Sequence, residues 1–183
     1  VIPSYVLQKT ISLRYFISEN IRSSRRYLRM IDKSFPIDES DFRELSEHTK
    51  LEEISDLLNP AINGNDIGLM SEAGMPSVAD PGSLVVEEAH KLNIRVIPLS
   101  GPSSILLALV ASGLNGQSFA FHGYLPVKND ERDLKIREYE NAALKGVTQI
   151  FMETPYRNTK VLEALLKVCR PETKLTIAAD ITL

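Results

Sequence analysis

Short apolar runs alternate with amphipathic stretches through the middle of the chain. Ile67 to Met70 is one such run, followed by a Gly/Pro-rich loop (SEAGMPSVADPG), a helical pattern from Ser83 to Leu92 and a second apolar run from Ile94 to Leu99. A tight loop (SGPSS) and another helical stretch, Ile105 to Ser112, complete the pattern. Strand, loop and helix, given twice, make a βαβα unit, which implies parallel strands joined by a right-handed crossover. Both loops then leave the carboxyl ends of neighbouring strands, where open α/β sheets bind ligands. They are expected to form two walls of one pocket.

Around this unit the signals are shorter. Residues 1–17 carry no start signal, and Leu13, Tyr15 and Ile17 alternate in strand fashion, so the chain is expected to open inside a fold whose first strand lies upstream. Ser18 to Ile31 reads as a helix capped by Ser18 or Asn20, with Ile21, Leu28 and Ile31 inward. Lys33 to Ser40 is a polar connector, Phe42 to Leu45 a short strand, and Leu51, Ile54, Leu57 and Leu58 mark a helix ending at Asn59 and Pro60. Phe119 to Tyr124 reads as a strand. The polar stretch Lys128 to Asp133 suggests a boundary, giving an N-terminal α/β domain over 1–125, a linker over 126–133 and the start of a second α/β domain over 134–183. In that second part Leu134 to Leu144 and Thr159 to Cys169 are expected helices, Thr148 to Met152 and Lys174 to Ala179 expected strands, and the domain reads as incomplete.

Composition narrows the classes. With 183 residues and 43% hydrophobic content the chain can bury a real core. A net charge of -3 gives no global attraction to nucleic acid or to anionic membranes, so any such contact needs a local basic patch. One candidate exists: Arg22, Arg25, Arg26 and Arg29 fall at i, i+3, i+4 and i+7 of the expected helix. Such a stripe is either a solvated face or a surface for RNA phosphates. The single cysteine, Cys169, fits a reducing, cytoplasmic setting, and three histidines without a cysteine pair argue against a zinc site. The longest apolar stretch, Ile105 to Ala111, is too short to span a bilayer, and no membrane association is expected.

The first loop limits the ligand. It shows neither GxGxxG nor GxxxxGKS, contains two acids and no cation, and its prolines remove backbone donors. This argues against NAD and ATP. A zwitterionic or cationic ligand with a flat heterocycle and hydroxyls suits it better, with Met75, Val78 and Ala79 offering apolar contact. S-adenosylmethionine has those features. In SGPSS, Ser103 either caps its own helix or also meets a ligand carboxylate.

SEAGMPSVADPG, then IRVIPLSGPSS, FHGYLP and FMETPYR resemble motifs of the tetrapyrrole methylase superfamily, and within it the branch of ribosomal RNA small-subunit methyltransferase I, whose usual forms are close to SDAGTPxISDPG, PGPSA, FxGFLP and YESPHR. ENIRSSRRYL resembles the branch's EDTRxTRRLL, and SEHT its HEHN. The chain departs from these forms at Glu72 (usually Asp), Met75 (Thr), Ala79 (Ser), Ser100 (Pro), Tyr156 (His) and Asn20-Ile21 (Asp-Thr). The resemblance implies a homodimer of two-domain α/β subunits, with an open, mostly parallel sheet in the first domain and S-adenosylmethionine in the interdomain cleft. Carried over by position, the cofactor contacts are Met75, Pro76, Val78, Ser103, Ser104 and Met152. The implied activity is S-adenosylmethionine-dependent methylation of RNA, of the ribose O-methylation type in rRNA, with Arg22, Arg25, Arg26 and Arg29 toward the substrate. The alternatives are a small-molecule methylase of the tetrapyrrole type and a protein that binds S-adenosylmethionine or RNA without catalysis. A ribose hydroxyl would need help losing its proton, for which Glu153, Glu72, Asp80 and His122 are the candidates.

Overall fold

The computed structural model describes residues 2–46 and 48–181, and for residue 51 the backbone alone. Glu47 of SEHT therefore lies outside the described residues. Backbone contacts divide the chain into two compact units, the first ending at Ser103 and the second starting at Ser104.

The first unit is built on strand β1, Tyr15–Ser18. It lies between β2, Asp41–Glu44, and β3, Ile67–Met70, parallel to both, in the order β2-β1-β3. Side chains alternate across a strand, so β1 faces two different layers. Phe16 enters a cluster with Leu13, Leu28, Phe35 and Ile37, while Ile17 enters another with Leu45, Ile54, Leu58, Val85 and Ala89. Burial on both faces is the mark of a parallel sheet covered by helices. The Phe16 side is covered by α2, Ile21–Ile31, and bordered by Leu13 just after α1, Ser4–Ser12. The Ile17 side is covered by α3, Leu51–Leu57, and α5, Gly82–Lys91, with α4, Asn59–Ile62, continuing from α3 through Leu58 and Pro60.

Local chemistry explains the helix ends. Asn20 caps α2, its side-chain oxygen accepting from the Ser23 amide at 3.0 Å. The chain leaves α5 through Asn93 at φ 56°, with the Ile94 amide donating to Ala89 at 2.8 Å and the Asn93 amide to His90 at 3.1 Å. This pair of bonds is a Schellman closure with asparagine in the left-handed position.

The second unit contains α6, Ser104–Ser112, then β4, Phe119–Tyr124, α7, Asn129–Ala143, β5, Thr148–Met152, and α8, Asn158–Val168. Strands β4 and β5 pair in parallel with an irregularity between Phe121 and Tyr124, where Gly123 takes φ 67°. Leu125, Ile136, Val161 and Ala164 form the core between this sheet and α7 and α8.

The mixed α/β class and the parallel strand pairing expected from the sequence are present. Four stretches differ from expectation. Residues 4–12 form a helix where no start signal was legible. Helix α7 begins at Asn129, inside the stretch expected as a linker, because Asp130 and Glu131 sit in its first turn where acids favour the helix dipole. The apolar runs Ile94 to Leu99 and Lys174 to Ala179 belong to no ladder among the described residues, and Val96, Ile97, Leu175 and Ile177 are exposed. An apolar run supplies the propensity for a strand, but only a neighbouring backbone supplies its hydrogen bonds.

Replacing Phe16 with Ala is expected to destabilise the first unit by about 3–5 kcal/mol, since the ring is 1% exposed and packs on Phe35 and Phe42. Denaturant unfolding followed by circular dichroism reads this loss. In the second unit the Glu140 carboxylate accepts from the Thr173 hydroxyl and from the Arg170 amide, and these bonds, with the charges of Arg170 and Arg137, hold its pKa below the usual 4.5. Its contribution to stability is therefore full above the ordinary carboxylate range and is lost as pH falls through the depressed folded value. Unfolding midpoints of the wild type should drop more steeply on acidification than those of Glu140→Gln.

Candidate functional site

In the first unit the carboxyl ends of β1 and β3 lie side by side, with Ser18 opposite Met70. Two bonds tie the following residues together. The Glu19 amide donates to the Met70 carbonyl at 3.4 Å, and the Glu72 amide donates to the Glu19 carboxylate at 2.6 Å. From there the SEAGMPSVADPG loop turns back on itself, with Gly74, Ser77 and Ala79 at φ 76°, 70° and 58° and the Val78 amide bonded to the Met75 carbonyl at 3.3 Å. One oxygen of Asp80 accepts from the Ser77 and Gly82 amides, both at 2.7 Å. A Cβ at Gly82 would stand 2.8 Å from that same oxygen, so the close approach requires glycine. The second Asp80 oxygen is buried with no hydrogen-bond partner.

Met75 and Pro76 are partly buried, and Val78 is 43% exposed. The segment before Ser103 reaches the same place: a Cβ at Gly101 would lie 4.0 Å from Cγ of Met75. Tyr5, from α1, receives the Ser100 amide on its hydroxyl at 3.2 Å. The loop and the segment expected as two walls of one pocket are thus neighbours within the first unit, although Ile94 to Leu99 is not a paired strand.

Helix α2 starts beside this loop, immediately after Glu19. Its four arginines are all exposed but not equivalent. Arg25 pairs with Asp38 at 3.2 Å and lies over the Phe42 ring, and Arg29 donates to the Lys33 carbonyl at 2.7 Å. Among the described residues Arg22 and Arg26 pair with no acid. Arg22 and Arg25 line a groove of about 570 Å³ together with Asn20, Ile21 and Glu44.

The second unit holds the other singled-out residues. Ser104 opens α6, and Met152 ends β5 in register with Tyr124. His122 is committed elsewhere: its Nε2 is 2.7 Å from Oε1 of Gln149 and its ring stacks on Tyr139 with centroids 3.9 Å apart. Glu153 is also engaged. One oxygen accepts from the Thr154 amide at 2.8 Å, and the other lies 3.1 Å from Nη2 of Arg157, close enough for an ion pair but without hydrogen-bond alignment. The same Nη2 donates to the carbonyls of Leu125 and Pro126 at 2.9 and 3.1 Å. Arg157 therefore ties FHGYLP to FMETPYR. Of the four acid-base candidates, Glu72 is the one whose side chain is exposed.

Two residues with evident roles, Glu19 and Arg157, escaped the sequence reading. Both stand in quoted motifs, and the i, i+4 spacing of Glu153 and Arg157 was a usable signal. A separate apolar cavity of about 610 Å³ in the second unit is lined by Tyr139, Phe151, Leu165 and Cys169 and includes the amino-terminal residues of β5.

Parallel strands, helices on both sheet faces and a shaped loop at the strands' carboxyl ends define an α/β protein of the ligand-binding type. A family model described as Tetrapyrrole (Corrin/Porphyrin) Methylases matches residues 14–183. The chain belongs to that family. It is 34% identical to the ribosomal RNA small subunit methyltransferase I of Vibrio cholerae serotype O1, over 75% of this chain and 47% of the relative. It is 40% identical to the protein of that name from Mesorhizobium japonicum over 74% and 45%, and 35% identical to the one from Haemophilus influenzae over 77% and 49%. The chain thus spans about half the length of the curated relatives it matches. The crystal structure of the methyltransferase CobJ shares its fold, with a TM-score of 0.58 at 20% identity over 92% of this chain and 71% of that one.

Because the Glu153 and Arg157 side chains are only 7% and 16% exposed, Arg157→Met leaves a buried carboxylate uncompensated and is expected to cost about 3–5 kcal/mol. Adding Glu153→Gln should recover part of that loss. Equal stability of the single and double variants would show that the pair is not coupled.

Proposed function

We propose that this chain is part of a methyltransferase that uses S-adenosylmethionine to methylate RNA. The observation that carries the reading is the loop after β3. It stands at the carboxyl end of a parallel strand, has no phosphate-binding pattern, and turns through positive φ at Gly74, Ser77 and Ala79 around Met75, Pro76 and Val78. Such a loop fits the cofactor: Met75 and Val78 offer apolar surface, backbone carbonyls offer acceptors, and no lysine or arginine stands in the loop to repel a sulfonium. Family membership and the names of the relatives support the same reading.

In this proposal Met75, Pro76, Val78 and Ser103 hold the cofactor from the first unit; Ser104 and Met152 stay as contacts implied by the family resemblance. When bound, S-adenosylmethionine supplies a methyl group already activated by its sulfonium. The residues of the chain therefore have to orient the acceptor and exclude water more than they have to activate anything. If the acceptor is a ribose hydroxyl, Glu72 is the exposed carboxylate on this loop that can take its proton. Arg22 and Arg26 are the cations of α2 left available for RNA phosphates, and Glu19 joins that helix to the cofactor loop. A homodimeric assembly accompanies the proposal as a family expectation, and a cytoplasmic location and a domain division near residues 126–133 accompany it as expectations from the sequence. No described helix is long and apolar enough to cross a membrane.

Replacing Pro76 with Trp is expected to weaken S-adenosylmethionine binding by about tenfold or more, read by calorimetry on a variant whose unfolding transition is unchanged. Unaltered affinity in that folded variant removes the loop from the site. For RNA, Arg22→Ala and Arg26→Ala should each lower the slope of log affinity against log salt by about one unit, and Arg25→Ala by less because Asp38 already neutralises Arg25. Loss of stability with an unchanged salt slope would make the stripe structural.

A further inference from the structure

Of the carboxylates around the proposed cofactor loop, Asp80 is the one whose two oxygens are both removed from solvent chemistry. Its Oδ1 is occupied by the Ser77 and Gly82 amides, each at 2.7 Å. Its Oδ2 is buried and unpartnered. Oδ1 thus spends its accepting capacity on the backbone, and Oδ2 is closed off from solvent. What the first oxygen does is visible in the backbone. Ser77 and Ala79 are both left-handed, a conformation unfavourable for a side-chain-bearing residue that persists only where its surroundings enforce it. Asp80 bridges that segment to Gly82, the first residue of α5, where free amides and the helix dipole favour a negative charge. Charge-assisted bonds of this kind are the stronger class. Gly82 completes the device, since a Cβ there would stand 2.8 Å from Oδ1 and 3.0 Å from the Ser77 nitrogen.

We propose that Asp80 is a positioning residue, not the base of methyl transfer: it fixes the left-handed Ser77 and Ala79 in the loop geometry that presents Met75, Pro76 and Val78 to S-adenosylmethionine. The proposal rests on the cofactor reading given above. Asp80→Asn keeps the accepting Oδ1 and loses the basicity, whereas Asp80→Ala loses both. In the full chain, amide exchange at Ser77 and Gly82, S-adenosylmethionine affinity and methyl-transfer kinetics separate the roles. Asp80→Ala should speed exchange at both amides by about tenfold or more and raise the KM for S-adenosylmethionine by a similar factor, with kcat changed by less than about threefold. Asp80→Asn should restore both. Should the alanine variant fail to fold, Asp80→Glu, whose oxygen stands one methylene further out, gives the same readouts.

A fall in kcat of about a hundredfold in Asp80→Asn at unchanged KM would make Asp80 the base and overturn the proposal. Wild-type exchange rates in Asp80→Ala would overturn it as well. If the unaltered protein binds no S-adenosylmethionine, the functional reading fails and exchange alone decides. Protection lost in the alanine variant and kept in the asparagine variant then still assigns Asp80 to the loop, and unchanged protection removes it.

Discussion

Strand β1 carries the first unit because it is hydrogen-bonded on both edges and buried on both faces. Phe16 and Ile17 are each 1% exposed and point into separate clusters, so successive residues of one short strand anchor two helical layers. Fully burying side chains of this size is worth about 1.5–3 kcal/mol each, so this strand cannot slip by one residue without exchanging its faces. With its register fixed, Ser18 must stand beside Met70 and Glu44. The parallel arrangement then puts the ends of all three strands at one edge, and the cofactor loop and the arginine-bearing helix depart from there.

At that edge the chain uses carboxylates as braces. Glu19 accepts from the Glu72 amide where the loop begins, and Asp80 accepts from two amides where it ends. A loop with three positive-φ residues carries conformational strain, and these bonds offset it without burying a cation nearby. Of the three departures from the family's usual residues inside this frame, Glu72 and Ala79 involve the backbone more than the side chain: the Glu72 amide makes the bond, and Ala79 contributes its left-handed φ. The geometry therefore does not depend on the side-chain chemistry usual at those positions.

The second unit applies the same economy of contacts. Arg157 spends one nitrogen on two carbonyls and on the neighbourhood of Glu153, and Glu140 gathers Arg170 and Thr173 onto α7. His122 stacks on Tyr139 and pairs with Gln149. Glu153 and His122, two of the four acid-base candidates, are thus engaged in holding the unit together, which narrows the search for a proton acceptor to exposed groups such as Glu72.

Much of this protein was determined by local sequence. Periodicity placed α5, α8 and the strands β3, β4 and β5 within a residue or so, and α2 at its end but three residues early at its start, because an amphipathic helix or a short β run carries its own signal. The loop at Met75 to Val78 was legible from its glycines, prolines and acids, and the family from its motifs. Tertiary structure decided the rest. Whether Ile94 to Leu99 or Lys174 to Ala179 is a strand depends on a partner backbone, which no local pattern encodes. Whether Asp80 is a base or a brace depends on which amides stand 2.7 Å from it, and which of the four arginines of α2 are free of an acid or carbonyl partner depends on Asp38 and Lys33 approaching from the next turn of chain. Spacing along a chain sets which residues share a face; only folding sets what that face meets.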